Sequence, residues 1–502
     1  MPRKARPVVP GILKTIGLST NGNYQLLYIS MIKRPKTKIV ATIGPASDSQ
    51  EILEQMMLDG MCVARVNLSH GSISEHTQRI KMIRKAASDV GTNVAIMVDT
   101  KGIEVRTGKL EDGSVVLEPG TEFRLYADNR MGDQQGVSIT YQELYQQVSV
   151  GMPVLLDDGV IELAVQSVDG SDIVCNVIRG GTLYNAKGVN LPQTELPIEV
   201  ISESARQELA FAADNDVEYV AASFVRDAKD VNEIRAVLNE YGVDIPIIAK
   251  IENQKGVDNL QEIIEAANGT MVARGDLGVE IATETVPMVQ KKIIRQTVMN
   301  GKPVITATQM LDSMERNLRP TRAETSDVAN AILDGSSAVM LSGETATGKY
   351  PVQAVKTMAL LAMHTEASLR EYGNLEKIIP HASNVVTEAV SQAANTMATH
   401  LNASVIVTLT ETGFTSRMIS RYRPECPIIA ITSSLKVART LSMDWGVRPV
   451  LYDGEPRDDA RINFAIWKLR KIGLVKEGDN VIITHGHDAK AGGTNLIRVV
   501  TV

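Results

Sequence analysis

Residues 245–252 read IPIIAKIE, an apolar run that ends in a lysine and a glutamate. Seven other short runs of apolar residues are followed in the same way by polar or small residues. Such continuous runs are typical of parallel strands that are buried on both faces. The eight runs are Lys38–Ile43, Cys62–Val66, Val94–Val98, Tyr219–Ala222, Ile245–Ala249, Met271–Ala273, Val304–Ala307 and Ala338–Leu341.

The spacing of these runs predicts the fold. The last five recur about every 24–35 residues with helical patterns between them, which is the spacing of βα units. Eight such units close a (β/α)8 TIM barrel, an α/β fold whose active site lies at the carboxyl ends of its strands. We therefore expect the site among the residues that follow the runs, which are Gly44, Asn67, Ser69, Asp99, Ser223, Lys250, Glu252, Asp276, Thr308 and Glu344.

The chain also contains segments that the barrel does not need. Roughly 120 residues separate the third and fourth runs, far more than one crossover helix requires. Short alternating segments with turn signals predict an inserted small β domain there, barrel-like and placed to act as a lid. After about residue 377 the α/β pattern restarts in a smaller unit. The expected division is an N-terminal extension at 1–30, the barrel at 31–102 and 199–377, the lid at 103–198 and a C-terminal α/β unit at 378–502.

Composition excludes several classes of function. Charged residues make up 22% of the chain and the net charge is −7, which favours neither a nucleic-acid partner nor a membrane surface. No apolar stretch reaches the length of about 18 residues that a membrane span needs. The three cysteines lack metal-binding spacing, which favours a reducing, cytoplasmic compartment. Residues 1–30 are basic, and we interpret them as an untranslated or disordered extension, with a transit peptide as the open alternative.

The lysine and glutamate of the opening stretch predict a site for an anion and a metal ion. Strand side chains alternate, so Lys250 and Glu252 point the same way, into the mouth of the barrel. Gly275 lets a ligand approach the backbone, and Asp276 adds a second carboxylate. Two carboxylates that leave most positions to water and substrate indicate Mg²⁺ or Mn²⁺ rather than Zn²⁺. The alternatives are a structural salt bridge on the rim and an ordinary Gly-Asp turn.

The second and third strands end in oxygen-bearing side chains. Arg65 offers a fork for phosphate, while Asn67 and Ser69 share a side and offer neutral oxygens. Together with Asp99 and Thr100, these oxygens could hold a monovalent cation.

Two further side chains have less specific signals. His70 is interpreted slightly more readily as a hydrogen-bonded core histidine than as a catalytic group. Thr308 places a hydroxyl at the end of the seventh strand, where a structural role is the common one.

A threonine-rich turn in the C-terminal unit precedes a predicted helix. Hydroxyls and free amides at a helix N-terminus can form a phosphate pocket, and an ordinary N-capped turn is an equally open interpretation. The residues concerned are Thr410, Thr412, Gly413 and Thr415.

Nine ordered segments of the chain resemble the pyruvate kinase family, from about Lys33 to the final strand. They are Lys36–Pro45, Ala64–Gly71, Asp99–Gly108, Lys187–Pro192, Ile247–Gly256, Met271–Ile281, Ile305–Met314, Pro320–Leu333 and Val339–Ala346. The resemblance implies a glycolytic phosphotransferase that converts phosphoenolpyruvate and ADP to pyruvate and ATP. It also implies a homotetramer whose C-terminal unit binds a phosphorylated effector.

The resemblance further implies roles for individual residues. Catalysis would involve Lys250, Thr308 and Arg65. The substrate would contact Arg65, Lys250, Gly275, Asp276 and Thr308. The nucleotide would contact Arg65, His70, Arg106 and Lys187. Mg²⁺ (or Mn²⁺) would be held by Glu252 and Asp276, and K⁺ by Asn67, Ser69, Asp99 and Thr100. The effector would bind at Thr410, Thr412, Gly413 and Thr415.

Two features refine the resemblance. Glu104 stands where K⁺-dependent members carry glutamate, so we expect K⁺ dependence. The segment His485–Thr494 contains no arginine, so a sugar monophosphate or a nucleotide monophosphate suits the effector site at least as well as fructose 1,6-bisphosphate.

Two other functions remain open at this point. An enolate-forming Mg²⁺ lyase or mutase on a similar barrel would not need Lys187 or Arg106. A non-catalytic paralogue kept for effector sensing would be expected to have lost one of four residues that are all present, namely Lys250, Glu252, Asp276 and Thr308.

Overall fold

The structure is a computed structural model that describes residues 34–102, 104–192, 194, 196–197, 199–375, 385–486 and 493–502. The predicted extension at 1–30 and the predicted domain boundary at 377/378 lie outside the described residues. Most of the segment His485–Thr494 also lies outside them.

The strands, numbered in chain order, fall into a barrel, two lid sheets and a C-terminal sheet. They are β1 (Lys38–Thr42), β2 (Met61–Asn67), β3 (Ala95–Asp99), β4 (Ser114–Leu117), β5 (Glu122–Tyr126), β6 (Gly136–Ser138), β7 (Pro153–Leu156), β8 (Ile161–Asp169), β9 (Asp172–Arg179), β10 (Gly181–Tyr184), β11 (Val189–Asn190), β12 (Tyr219–Ala222), β13 (Ile247–Ile251), β14 (Gly269–Ala273), β15 (Val304–Ala307), β16 (Ala338–Leu341), β17 (Val405–Leu409), β18 (Ile428–Thr432), β19 (Val447–Leu451), β20 (Asn480–Gly486) and β21 (Thr494–Thr501).

The α-helices pack around these sheets. They span Gln50–Asp59, Ile73–Val90, Glu203–Asp214, Ala228–Glu240, Gln254–Asp258, Leu260–Ala266, Arg274–Glu280, Val286–Met299, Arg322–Leu333, Gly343–Ala346, Pro351–Glu366, Leu369–Tyr372, Val385–His400, Phe414–Ser420, Leu435–Thr440 and Asp458–Lys471. None of the helices in the described ranges is long and apolar enough to cross a membrane.

The predicted TIM barrel is confirmed. Its eight strands close in the order β1-β16-β15-β14-β13-β12-β3-β2, and every neighbouring pair is parallel. All five residues of β1, β3, β13 and β14 are buried, which explains why these strands appear in the sequence as continuous apolar runs. Asp99 and Lys250 lie inside their strands rather than after them, because the ladders extend to Asn67↔Asp99 and Lys250↔Met271.

The helix Arg322–Leu333 begins with the capping box that its sequence predicts. Thr321 accepts a hydrogen bond from the Glu324 amide, and the Glu324 carboxylate accepts one from the Thr321 amide. Its buried face consists of Val328, Ala331 and Ile332.

The inserted segment forms two sheets around one apolar core. Six strands pair in the order β11-β7-β8-β9-β5-β6, and β10 pairs with β4. Phe123, Leu125 and Leu144 are fully buried between them. This core is separate from that of the barrel, so the insertion forms a small body of its own above the carboxyl ends of the barrel strands.

The C-terminal sheet has the order β19-β18-β17-β20-β21, with only β21 antiparallel to its neighbour. This unit packs against the amino-terminal ends of the barrel strands, opposite to the lid. The Tyr219 hydroxyl donates to the Thr440 carbonyl at 2.8 Å, and the Gly446 amide donates to the Lys36 carbonyl at 2.8 Å.

Candidate active site

A buried carboxylate, Asp99, connects two cations at the carboxyl end of the barrel. Its Oδ2 accepts a hydrogen bond from Nε of Arg65 at 2.6 Å, and its Oδ1 accepts one from Nζ of Lys250 at 3.1 Å. Arg65 also donates to the Thr42 hydroxyl at 2.9 Å, and Lys250 donates to the Ser223 hydroxyl at 2.6 Å. Four strands, β1, β2, β3 and β13, and the residue after β12 therefore contribute to one network.

The charges in this network stabilise one another. Burial alone would raise the pKa of Asp99. The positive charges of Arg65 and Lys250 outweigh this effect and hold the pKa of Asp99 below its usual value. Burial lowers the pKa of Lys250, but the carboxylates of Asp99 and Glu252 outweigh it and raise that pKa. The two carboxylates therefore favour the charged form of Lys250 at the mouth of the barrel.

Glu252 is the fully buried carboxylate beside Lys250. Its Oε2 accepts a hydrogen bond from the Phe224 amide at 2.6 Å. Its Oε1 lies 3.0 Å from Nζ of Lys250 but accepts no hydrogen bond in the described structure. Burial raises the pKa of Glu252 to about 8, with Lys250 opposing the shift and Asp276 adding to it. A buried carboxylate oxygen that has only this ion pair, with a second carboxylate nearby, fits a hard divalent cation.

Asp276 is the second carboxylate of this pair and follows β14 in the helix Arg274–Glu280. In the described ranges, no group of three or more His, Cys, Asp or Glu side chains is arranged to hold a metal ion. A cation held by these two carboxylates would have most of its coordination positions filled by water and substrate.

The end of β15 is a strained turn. Thr308 and Gln309 have φ values of 65° and 53°, a left-handed conformation that is uncommon for a β-branched residue. The Thr308 hydroxyl accepts a hydrogen bond from the Gly275 amide at 2.9 Å and donates to the Ala307 carbonyl at 2.7 Å. Arg274 donates to the carbonyl oxygens of Ala307 and Thr308 and thereby holds the backbone of the turn.

A cleft of about 1110 Å³ separates the lid from the barrel. The lid contributes Arg106 and Lys187, and the barrel contributes His70 and Asp276. His70 is exposed here, so its interpretation as a core histidine is wrong. The buried histidine of this region is instead His76, in the following helix.

The two lid cations that line the cleft, Lys187 and Arg106, each form an ion pair with a carboxylate of the lid. Lys187 lies 2.8 Å from Asp157, and Arg106 donates to Glu104 at 2.7 Å. Asn190 connects the lid to the barrel by donating to Glu280 at 2.9 Å.

The four residues of the predicted K⁺ site lie together at the ends of β2 and β3. Asn67 pairs with Asp99 across the ladder, and Thr100 follows directly. The Asn67 side-chain oxygen accepts a hydrogen bond from the Ser69 amide at 3.2 Å, which brings Ser69 to the same end.

The threonine-rich turn precedes the helix Phe414–Ser420, as predicted. Its hydroxyls are largely engaged within the protein: Thr410 accepts from the Gly413 amide at 2.9 Å, and Thr415 shares a 2.5 Å hydrogen bond with Thr494. Thr412 is exposed. The structure thus leaves the Thr412 side chain open to a ligand, while Thr410 and Thr415 are buried.

Sequence reasoning missed three participants. Ser223 was placed at a strand end but given no role, although it contacts Lys250. Asp157 has no distinguishing signal in the sequence, although it pairs with Lys187 in the cleft. Asp327 had no signal beyond its position in a capped helix, yet it pairs with Arg274.

Comparisons with known proteins identify the family. The family models "Pyruvate kinase, barrel domain" and "Pyruvate kinase, alpha/beta domain" match residues 34–355 and 388–500. The chain is 48% identical to the pyruvate kinase of Bacillus licheniformis over 470 residues, covering 93% of this chain and 80% of that protein. It is 49% identical to the pyruvate kinase of Geobacillus stearothermophilus over 468 residues, with 92% and 80% covered. The chain belongs to the pyruvate kinase family.

Proposed function

We propose that this chain transfers the phosphoryl group of phosphoenolpyruvate to ADP, with Lys250 as the group that stabilises the transferring charge. The observation that carries the proposal is the buried Nζ of Lys250, held by Asp99, Ser223 and Glu252 at the mouth of the barrel. Phosphoryl transfer depends mainly on positioning and on fixed charge in a site that excludes water. A charged lysine with restricted motion meets both needs.

The buried partners of Lys250 also define what binds beside it. Glu252 and Asp276 would hold Mg²⁺ (or Mn²⁺), in line with the dependence of this family on metal ions. When bound, the cation would offset negative charge on the phosphoryl oxygens. Asp99 fixes Arg65 by a 2.6 Å hydrogen bond, and the remaining part of the Arg65 guanidinium would bind anionic substrate oxygens.

The monovalent site is proposed for K⁺, held by Asn67, Ser69, Asp99 and Thr100. Its support is the register that places Asn67 beside Asp99. Glu104 supports the same proposal, because K⁺-dependent members of the family carry a glutamate at this position, where the chain enters the lid.

Thr308 is proposed to serve proton delivery to the enolate left by phosphoryl transfer. Its hydroxyl lies 2.9 Å from the Gly275 amide, beside the Asp276 carboxylate in sequence. The left-handed turn and the Arg274 contacts hold the hydroxyl in one place. Gly275, without a side chain, leaves room for the substrate at this point.

The lid is proposed to close over the nucleotide. His70, Arg106 and Lys187 line one cleft. They would contact ADP or ATP, as would Arg65. Closure would exchange the Lys187–Asp157 ion pair for contacts to phosphate oxygens. The lid would therefore close when the nucleotide binds and open when it leaves.

The remaining assignments extend the proposal to the whole chain. We place the lid at 103–198, the barrel at 31–102 and 199–377 and a regulatory unit at 378–502. An effector with one phosphate, a sugar phosphate or a nucleotide monophosphate, would bind at the turn that contains Thr410, Thr412, Gly413 and Thr415. We also propose that the protein is cytoplasmic and that it assembles as a homotetramer.

The test is pyruvate formation from phosphoenolpyruvate and ADP with Mg²⁺, measured in K⁺ and then in Na⁺ at equal ionic strength. Activity that requires ADP and collapses in Na⁺ supports both the transfer and the cation site. Equal activity in the two salts removes the K⁺ assignment. ADP-independent turnover would favour a lyase or mutase, and no turnover from folded protein with effectors present would favour a sensing paralogue.

A further inference from the structure

The two chain segments at the base of the lid pair with each other. Residues 105–107 lie antiparallel to residues 187–189 and form a short two-stranded arrangement, the lid-base ladder. Within it, the Thr107 amide donates to the Lys187 carbonyl at 2.8 Å. Arg106 belongs to the same ladder, and both Arg106 and Lys187 line the active cleft. The position of this ladder therefore sets the position of both lid cations.

A buried carboxylate of the barrel holds the chain just before the ladder. Oε2 of Glu208 accepts a hydrogen bond from the Lys101 amide at 3.0 Å. Glu208 belongs to the helix Glu203–Asp214 and is 5% exposed. The next residue, Gly102, packs so closely on the barrel that a Cβ there would lie 2.5 Å from Cβ of Ser223. The segment that leads into the lid is thus fixed at the rim of the barrel.

A second carboxylate holds the chain just after the ladder. Oε1 of Glu280 accepts a hydrogen bond from Nδ2 of Asn190 at 2.9 Å. Asn190 ends β11, and Glu280 ends the helix Arg274–Glu280 at the rim of the barrel. Each end of the lid-base ladder is therefore joined to the barrel by one carboxylate.

The hydrogen bonds from the lid base offset the burial of both carboxylates. Burial raises the pKa of Glu208, and the hydrogen bond from the Lys101 amide opposes this rise. Burial likewise raises the pKa of Glu280, and the hydrogen bond from Asn190 opposes it. A displacement of the ladder would remove these hydrogen bonds from two largely buried carboxylates, which costs free energy. The ladder is therefore held against the barrel at both ends.

We propose that Glu208 and Glu280 are positioning residues that set the lid-base ladder, and through it Arg106 and Lys187, over the nucleotide. This inference rests on the proposed closure of the lid over ADP. Two fixed ends restrict the lid to rotation about the line between them, which keeps the two cations aligned with the phosphate oxygens. The proposed contacts of phosphoenolpyruvate come from the barrel and do not depend on the ladder.

The first test exchanges the donor and the acceptor of the Asn190–Glu280 hydrogen bond in the full-length protein. Asn190→Asp places two carboxylates together and should raise KM for ADP about tenfold, as loss of a charge-assisted hydrogen bond would. KM for phosphoenolpyruvate should change little. Adding Glu280→Gln to the same chain restores one donor and one acceptor in reverse order, and should return most of the lost affinity for ADP. Glu284→Gln, an exposed substitution nearby, is the control.

The second test removes the carboxylate that holds Lys101. Glu208→Ala should raise KM for ADP about tenfold, while Glu208→Gln, which keeps an acceptor oxygen, should raise it less. Hydrogen–deuterium exchange at residues 104–107 and 187–190 should be faster in both variants than in the unsubstituted chain. Glu203→Gln, an exposed substitution on the same helix, should leave KM and exchange unchanged.

Three outcomes would overturn the proposal. The first is a KM for ADP in Asn190→Asp equal to that of Glu284→Gln, or one that Glu280→Gln does not restore. The second is a loss of kcat with unchanged KM for ADP, which would show a structural role only. The third is exchange in Glu208→Gln equal to that of Glu203→Gln, which decides the matter even if Glu208→Ala fails to fold.

Failure of the proposed function would be seen in a different sample. The unsubstituted chain would then show no ADP-dependent formation of pyruvate, and both the proposed function and the inference drawn from it would be overturned. ADP-dependent turnover in the unsubstituted chain, with unchanged KM for ADP in all variants, would overturn only the positioning role of Glu208 and Glu280.

Discussion

Nη1 of Arg274 donates to both carboxylate oxygens of Asp327, at 2.9 and 2.7 Å. The other nitrogens of the same guanidinium donate to the Thr308 carbonyl, at 3.2 and 2.6 Å. Asp327 belongs to the capped helix Arg322–Leu333, and Arg274 connects it to Thr308. We therefore expect Asp327 to act as a positioning residue for the strained turn.

Asp327→Asn should lower kcat about tenfold, because a charge-assisted hydrogen bond contributes roughly 1.5–3 kcal/mol and a factor of ten corresponds to about 1.4 kcal/mol. KM for phosphoenolpyruvate should change little, since the turn is proposed to serve proton delivery. Steady-state kinetics measure the two constants. Asp327→Glu should restore part of kcat.

The matched control is Asp312→Asn, which removes an exposed carboxylate 3.6 Å from Arg316. A kcat in Asp327→Asn equal to that of this control would contradict the positioning role. So would a rise in KM with kcat unchanged.

Lys250→Met should lower kcat by about 10²–10³-fold, because it removes a fixed cation from the site of developing charge. Binding of Mn²⁺ should persist, since Glu252 and Asp276 remain. Turnover and Mn²⁺ titration provide the two readouts. Lys229→Met, on an exposed helix surface, is the control, and near-normal turnover in Lys250→Met would refute the assignment.

Glu104→Lys should make activity less dependent on K⁺, because the lysine ammonium would supply the charge that the monovalent cation supplies. The measurement is the ratio of turnover in K⁺ to turnover in Na⁺. Glu122→Lys is a close control, since Glu122 pairs with Arg124 two residues later as Glu104 pairs with Arg106. A ratio that is the same in both variants would remove Glu104 from the cation site.

Asp444 should make stability fall as pH rises through the mildly acidic range. Burial raises the pKa of Asp444 to about 6, with Arg417 opposing the shift. The unfolded carboxyl ionises near pH 4, so between these values the folded chain binds more protons and loses stability as pH rises. The loss amounts to about 3 kcal/mol for a shift of about two units.

Asp444→Asn should therefore raise the thermal unfolding midpoint, relative to the unsubstituted chain, more at neutral pH than at about pH 5. Asp459→Asn, an exposed substitution, should show no such difference. A stabilisation of equal size at both pH values would show that Asp444 is not the titrating group.

Much of the site could be predicted from the sequence because its residues belong to strand ends. Lys250, Glu252 and Asp276 follow apolar runs, and the rule that barrel sites form at carboxyl ends brings them together. The interpretation of His70 as a core histidine is wrong because the residues around it do not reveal that it faces the cleft between lid and barrel. The role of Asp327 could not be predicted, because the sequence pattern of a helix does not reveal which residue of the barrel a given helix side chain contacts.

The sequence by itself determined the barrel, the position of the site and the identity of its charged groups. These features depend on the periodicity of apolar and polar side chains, which can be recognised in residues that are neighbours in the sequence. The tertiary structure alone decided that Asp99 is shared by Arg65 and Lys250 and that Glu252 is fully buried beside Lys250. Each of these depends on packing between residues distant in sequence, and only the folded chain sets their burial and therefore the strength of their charges.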